Sequence, residues 1–266
     1  MDSKKLITKF KIYKYLNLAF FILSLFLILF FEKDIFTLFF PNANIKFIPF
    51  PIVLILAGVI PILYFVFYFL IQMEITKLLK DKCDPKVYRE VYFAISPKRN
   101  YIGKKLVDIT TEFMLGNFNV AKTLCYDVIK NDANINLRQT AYVTLAQIYL
   151  VEGDNESLTM LRNSANECVG HPKYGKIYFQ IANTATVFIE LLVGDYEVML
   201  KAYSKTREVC KNKCDLYVSL FYYTLALVKA DKAEEALPIL EEIMQNANKL
   251  FVSHYAKMGL LYYATK

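Results

Sequence analysis

Two histidines and five cysteines are the side chains of this sequence best suited to chemistry. His171 sits in a loop-forming Gly170-His171-Pro172 tripeptide, and His254 lies in an apolar stretch near the C-terminus; neither forms a motif with the cysteines. Cys210 and Cys214 are four residues apart, a spacing that puts both on one face of a helix. A metal would need two more ligands, and no second C-x-x-C or H-x-x-H supplies them, so the pair reads as ordinary reduced thiols. There is no glycine-rich phosphate loop, no G-x-S-x-G and no H-E-x-x-H. Glu234/Glu235 and Glu241/Glu242 fall on the polar side of an amphipathic pattern, where carboxylates are solvated rather than set against each other as acid and base. These residues point to no enzyme, no metal and no cofactor. Function has to be sought in surfaces, and therefore in the elements that carry them.

Of 266 residues, 56% are hydrophobic, and Gly and Pro number only eight each. That is too apolar for a disordered chain and too poor in turn formers for a loop-rich fold. The apolar excess is local. Residues 15–31 hold no charge over 17 positions, and residues 47–73 hold none over 27. A membrane helix needs roughly 20 apolar residues, so spans are expected at about 13–31 and 48–73, and no comparable run is read beyond Glu74. The acidic Glu32-Lys33-Asp34 after the first run, with no small-x-small site, argues for a retained anchor over a cleaved signal peptide. Pro49 and Pro51 suit a helix start, while Pro61 is expected to kink the second span.

The lysines and arginines set the orientation. Residues 1–14 hold five, the loop at 32–46 holds two, and residues 77–105 hold nine: Lys77, Lys80, Lys82, Lys86, Arg89, Lys98, Arg99, Lys104 and Lys105. Positive charge on both outer flanks places both termini in the cytoplasm. The Ile35–Phe40 stretch of the short loop is expected in the membrane interface. The nine residues are read as a membrane-surface patch that attracts anionic headgroups, since the rest of the chain beyond them is nearly neutral. They lack the motif context that nucleic-acid binding requires.

Beyond residue 101 the sequence repeats. Gly116-Asn117-Phe118, Gly153-Asp154-Asn155, Gly194-Asp195-Tyr196 and Asp231-Lys232-Ala233 open four similar corners, spaced 37, 41 and 37 residues apart. Five positions after each first residue comes an apolar one: Ala121, Leu158, Met199 and Ala236. A glycine fits a helix end, and acidic residues suit the first turn of the next helix. In the second unit Tyr142, Leu145-Ala146 and Tyr149 precede Gly153, with Leu158 and Ala165 after it. This resembles the tetratricopeptide repeat. The first and third units depart from the pattern, with Asp108 and Glu112, and with Asn183 and Glu190, in its slots.

The expected architecture is all-α: a two-helix transmembrane hairpin (1–76), a basic juxtamembrane helical linker (77–101) with a helix starting at Asp84-Pro85 and a break at Ser96-Pro97, and a tetratricopeptide-like repeat domain (102–266). The resemblance implies a right-handed α-solenoid closed by a terminal capping helix, about 250–265. It also implies an apolar concave groove lined by Val143, Gln147, Leu150, Ile181, Thr184, Phe188, Leu191, Phe221, Tyr222, Leu225 and Val228. The groove would take a protein or peptide partner, or be filled by the protein's own helices (85–95, for instance) or by a second copy. The function this suggests is a membrane-anchored cytoplasmic adaptor or scaffold; the alternative is a small membrane subunit or regulator of a transporter or envelope machine. Lys/Ile/Asn/Phe-rich usage hints at an AT-rich bacterium, so the membrane is expected to be a bacterial cytoplasmic one.

Overall fold

The computed structural model describes residues 3–30, 49–97 and 99–264, and among them every regular element is an α-helix. The chain divides into two compact units, Met1–Lys77 and Leu78–Lys266. The loop expected in the interface, 32–46, and Lys98 lie outside the described residues.

The first unit holds α1 (Ser3–Phe30) and most of α2 (Pro49–Lys80). Helix α1 starts ten residues earlier than the expected span, so its five lysines lie within the helix itself. Helix α2 begins on Pro49 and is assigned as one helix through Pro61. The two meet where Asn17 Nδ2 donates to the Tyr64 carbonyl at 3.2 Å and the Phe21 and Tyr64 rings lie 5.2 Å apart. Ile62, Phe65, Val66, Phe69, Leu70 and Met73 of α2 are exposed along one side, and Leu63 and Phe67 add an adjoining one.

Two described helices are long and apolar enough to cross a membrane: Ile62–Lys80 within α2, and Gly175–Val193. The second corrects the expectation that nothing beyond Glu74 qualifies. One face of it, Ile181, Ala182, Ala185, Phe188, Ile189 and Leu191, is buried in the second unit, while Phe179 and Val193 are exposed.

The second unit contains α3 (Pro85–Ile95), α4 (Tyr101–Met114), α5 (Phe118–Asn131), α6 (Ile135–Glu152), α7 (Asn155–Glu167), α8 (Gly175–Val193), α9 (Glu197–Tyr203), the single turn α10 (Thr206–Val209), α11 (Lys213–Lys229), α12 (Ala233–Asn246) and α13 (Phe251–Ala264). Five helix starts carry side-chain caps. Asp84, Asn100, Asn134, Asp154 and Asn212 each accept a backbone N–H three residues on, at 2.9–3.2 Å. The Asp84-Pro85 start and the Ser96 stop fall where the sequence puts them.

All four corners share one backbone state. Gly116, Gly153, Gly194 and Asp231 have φ of 81°, 73°, 103° and 56°, the left-handed conformation that ends a helix. The apolar residue five positions on (Ala121, Leu158, Met199, Ala236) is 0% exposed in every case. Each corner therefore turns the chain and then drops a small or flexible side chain into the space between paired helices. Packing follows the same rhythm: α4 packs on α5 and α6, α6 on α7 and α8, and α11 on α12 and α13, while α5, α7, α9 and α12 each pack on the first helix of the following pair.

The array also closes on itself. Phe251, at the start of α13, has its ring 5.1 Å from Phe113 of α4 and 5.3 Å from Phe118 of α5, as well as 6.0 Å from Phe221 of α11. Gly116 permits the approach, because a Cβ there would stand 3.0 Å from the Phe251 Cβ. The aromatic contacts continue from Phe221 to Tyr222, and from Tyr222 to Phe188 of α8 and Tyr203 of α9. Lys249 forms an ion pair with Asp84, and Cys214 Sγ lies 3.7 Å from Met114 Sδ, so the last pair is joined to both α3 and α4.

Phe251→Ala is expected to cost about 3–5 kcal/mol, the usual range for a large buried ring. Tyr222 should behave oppositely. Its hydroxyl is buried without a hydrogen-bond partner among the described residues, so Tyr222→Phe should raise stability by about 1 kcal/mol. Urea denaturation of residues 78–266 measures both, and a loss on Tyr222→Phe would mean that the hydroxyl is bonded.

Asp154 gives a pH test. Its hydrogen bonds from Ser157 hold its carboxyl below the usual carboxylate range. A depressed carboxyl stabilises above its unfolded pKa and loses that contribution as pH falls through the folded one. Asp154→Ala should cost about 1 kcal/mol at pH 7, with the gap from wild type narrowing once the pH drops below about 4.

Candidate interaction surfaces

The eleven residues expected to line an apolar groove separate into two groups. Leu150, Ile181, Phe188, Leu191, Phe221 and Tyr222 are buried; Val143, Gln147, Thr184, Leu225 and Val228 are half-buried. The first group corrects the sequence expectation. These side chains are core, covered by neighbouring helices and, at Phe221 and Tyr222, by Phe251, Tyr255 and Tyr203. Of these, Phe221 packs on Phe251 and Tyr255 of α13, and Tyr222 on Tyr203 of α9 and Phe188 of α8.

The surface of α6 and α8 includes two rows rich in uncharged polar side chains, beside the exposed Glu152 of α6 and the exposed Lys176, Phe179 and Val193 of α8. Asn136, Gln139, Thr140, Val143 and Gln147 follow i, i+3, i+4, i+7, i+11 along α6; Gln180, Asn183, Thr184 and Val187 follow the same rule along α8. All are exposed or half-buried, and Gln139 Nε2 donates to Gln180 Oε1 at 3.0 Å, so the two rows form one face. Thr140 and Thr184 return their hydroxyls to backbone carbonyls of their own helices. The carboxamides remain as the groups that can donate and accept outward. The spacing that identifies this face is present in the sequence, but it is masked there by the stronger apolar pattern beside it.

The basic segment divides likewise. Lys80, Lys82, Lys86 and Arg99 are exposed. Lys77 is exposed and lies 2.5 Å from Glu74, one turn away. Lys104 is half-buried, its ammonium 5.7 Å from the centre of the Phe93 ring. Arg89 and Lys105 are partly exposed and are also engaged by acidic residues of α4, α5 and the following turn. Arg89 Nε is 2.8 Å from Asp108 Oδ1, a charge contact rather than an aligned hydrogen bond, and the guanidinium also pairs with Glu112. Glu112 in turn accepts from Asn117 Nδ2 at 2.7 Å. Lys105 Nζ sits 3.0 Å from Asp127 and 3.7 Å from Asp132, and the bond to Asp127 raises its pKa. Asp108 and Glu112 are the two positions where the first unit breaks the repeat pattern. They are occupied by acids because they hold α3 onto α4.

The residues with metal or nucleophile chemistry do not converge. Cys210 and Cys214 do not share a helix: α10 ends at Val209, and Asn212 caps a new helix that contains Cys214. Cys210 Sγ is 3.8 Å from Ser219 Oγ, whereas Cys214 is buried beside Cys83 and Met114. His171 Nδ1 accepts the backbone N–H groups of Lys173 and Tyr174, both at 3.2 Å, and its ring stacks on Tyr174. His254 is exposed. Among the described residues no group of three His, Cys, Asp or Glu is placed to hold a metal ion.

Within the first unit a half-open cavity of about 490 Å³ lies between α1 and α2. Lys9, Tyr13 and Glu74 line one end, and Leu16, Phe20, Phe67 and Leu70 line the rest. Lys9 carries its ammonium 5.5 Å from the centre of the Tyr13 ring. Asn17 also lines it, but its amide is engaged by the Tyr64 carbonyl.

The chain matches no family model, and no curated protein or solved structure matches it either.

Removing Arg89 should act on the fold. Burial pushes the Asp108 carboxyl up, with Arg89 opposing the shift. A raised carboxyl stabilises at low pH and loses that contribution as pH rises through its folded pKa. Arg89→Ala is expected to cost about 2 kcal/mol at pH 7, less than a fully buried pair because the side chain keeps partial access to water. The loss should shrink as Asp108 becomes protonated. Thermal unfolding at pH 7 and pH 4 checks this; an unchanged melting temperature would return Arg89 to the lipid surface.

Proposed function

We propose that this chain is a membrane-tethered adaptor. Helices α1 and α2 form a two-span anchor with both termini in the cytoplasm, and residues 102–266 form an α-solenoid of tetratricopeptide-like pairs that recruits a protein partner. The observation that carries the reading is the exposed apolar surface of α2 from Ile62 to Met73. A helix apolar on more than one side has to be buried in protein or in lipid. The repeated left-handed corners and neighbour-on-neighbour packing support the solenoid. With the apolar inner row filled, the partner face is the carboxamide surface of α6 and α8. It suits a partner held by hydrogen bonds rather than by an inserted apolar helix.

Two experiments test the proposal. In intact bacterial cells, a membrane-impermeant maleimide should leave Cys168 and Cys210 unmodified until the inner membrane is permeabilised; labelling before that step contradicts the orientation. In crosslinking pull-downs from intact membranes, Gln180→Ala with Asn183→Arg should remove the recovered partners while the melting temperature stays near that of wild type. Full recovery by this folded variant would exclude the face.

A further inference from the structure

We propose that the cavity between α1 and α2 is a binding site for one anionic phospholipid, with the lipid phosphate on Lys9 and one acyl chain along Leu16, Phe20, Phe67 and Leu70. The proposal rests on the membrane reading of the first unit and assigns a specific ligand to it.

Three observations point to this occupant. The first is the distribution of polarity. Charge is confined to one end of the cavity, at Lys9 and Glu74, and the far end is hydrocarbon. Asn17, the polar side chain partway along, is already bonded to the Tyr64 carbonyl. A ligand that fits must be charged at one end and apolar along its length.

The second is the sign of the charge. Glu74 is offset by Lys77 at 2.5 Å, which leaves the Lys9 end net positive and complementary to a phosphodiester. Tyr13, whose ring lies beside the Lys9 ammonium, places an amphipathic aromatic at the same level, where such rings favour the headgroup region.

The third is depth. Lys9 and Phe20 are separated by eleven residues of α1, or about 16 Å of helix rise. That is close to half of the roughly 30 Å hydrocarbon core. In the orientation proposed above, Lys9 and Glu74 lie at the cytoplasmic surface, the side on which anionic lipids attract basic side chains. A slot of this length, charged at that end, matches one lipid of one leaflet. A second copy of the chain would instead bring a second Lys9 or a helix face with no charge to match.

The absence of tryptophan makes a direct test available. Full-length Phe20→Trp carries a single reporter inside the cavity, and Phe67→Trp carries one on the facing helix should the first substitution disturb folding. Phe65→Trp, on the outside of α2 at 66% exposure, is the control. Each variant is reconstituted in vesicles of phosphatidylcholine and phosphatidylglycerol at equal mole fraction, with bromine on the chains of one lipid or the other. Brominated phosphatidylglycerol is expected to quench the cavity reporter with about fivefold higher apparent affinity than brominated phosphatidylcholine, the preference one lysine near the surface provides. Lys9→Gln should abolish that preference without changing the control, which should be quenched alike by both lipids. Equal quenching of the cavity reporter by both lipids with Lys9 in place overturns the proposal and leaves the membrane reading intact. No quenching in the cavity while Phe65→Trp is quenched also overturns it, in favour of a protein occupant. No quenching at any of the positions overturns the membrane reading, and the lipid site with it.

Discussion

The second unit depends on where one ring goes. Phe251 starts the last helix, yet it packs on Phe113 and Phe118 from the first pair and on Phe221 from the fourth. A stack of helix pairs in which each touches only its neighbours has two free ends and an open inner face. Here the inner aromatic row joins the last helix to α4 and α5, and the Cys214–Met114 contact and the Lys249–Asp84 pair tie the same end of the array to α4 and to the start of α3. Long-range contacts of this kind make distant units fold and unfold together, because removing one ring exposes four or more others at once.

That closure decides what the surface can do. An open array would present apolar side chains to a partner, whereas a closed one uses them internally and leaves the amide-rich face of α6 and α8 outward. For the adaptor we propose, this shifts the expected partner chemistry from hydrophobic capture to hydrogen bonding. In the first unit the balance is reversed. Among its described residues, large apolar side chains of α2 are exposed, and the cavity between α1 and α2 has charge at one end.

Much of this was legible from residue spacing. The four corners, their left-handed first residues, the buried side chain five positions later, and the caps at Asp84 and Ser96 are local features, and local sequence determines them. The groove was not legible for a physical reason. Helical periodicity identifies which face of α8 or α11 is apolar, but not whether the array curves far enough for Phe113 to meet Phe251. The Cys210/Cys214 pair was misplaced because Asn212 starts a new helix between them. The ion pairs of Arg89 and Lys105 were not legible because a count of charges carries no information on the acids opposite.

The contact between Phe113 and Phe251 is the most direct test of the account. A double-mutant cycle on residues 78–266, with each phenylalanine changed to alanine singly and together, isolates their coupling from the cost of each truncation. A closed array predicts one cooperative urea transition and a coupling of about 1 kcal/mol or more. Additive losses, with the Phe251 variant melting its last pair in a separate early transition, would mean that the array is open and that the first and last units do not meet.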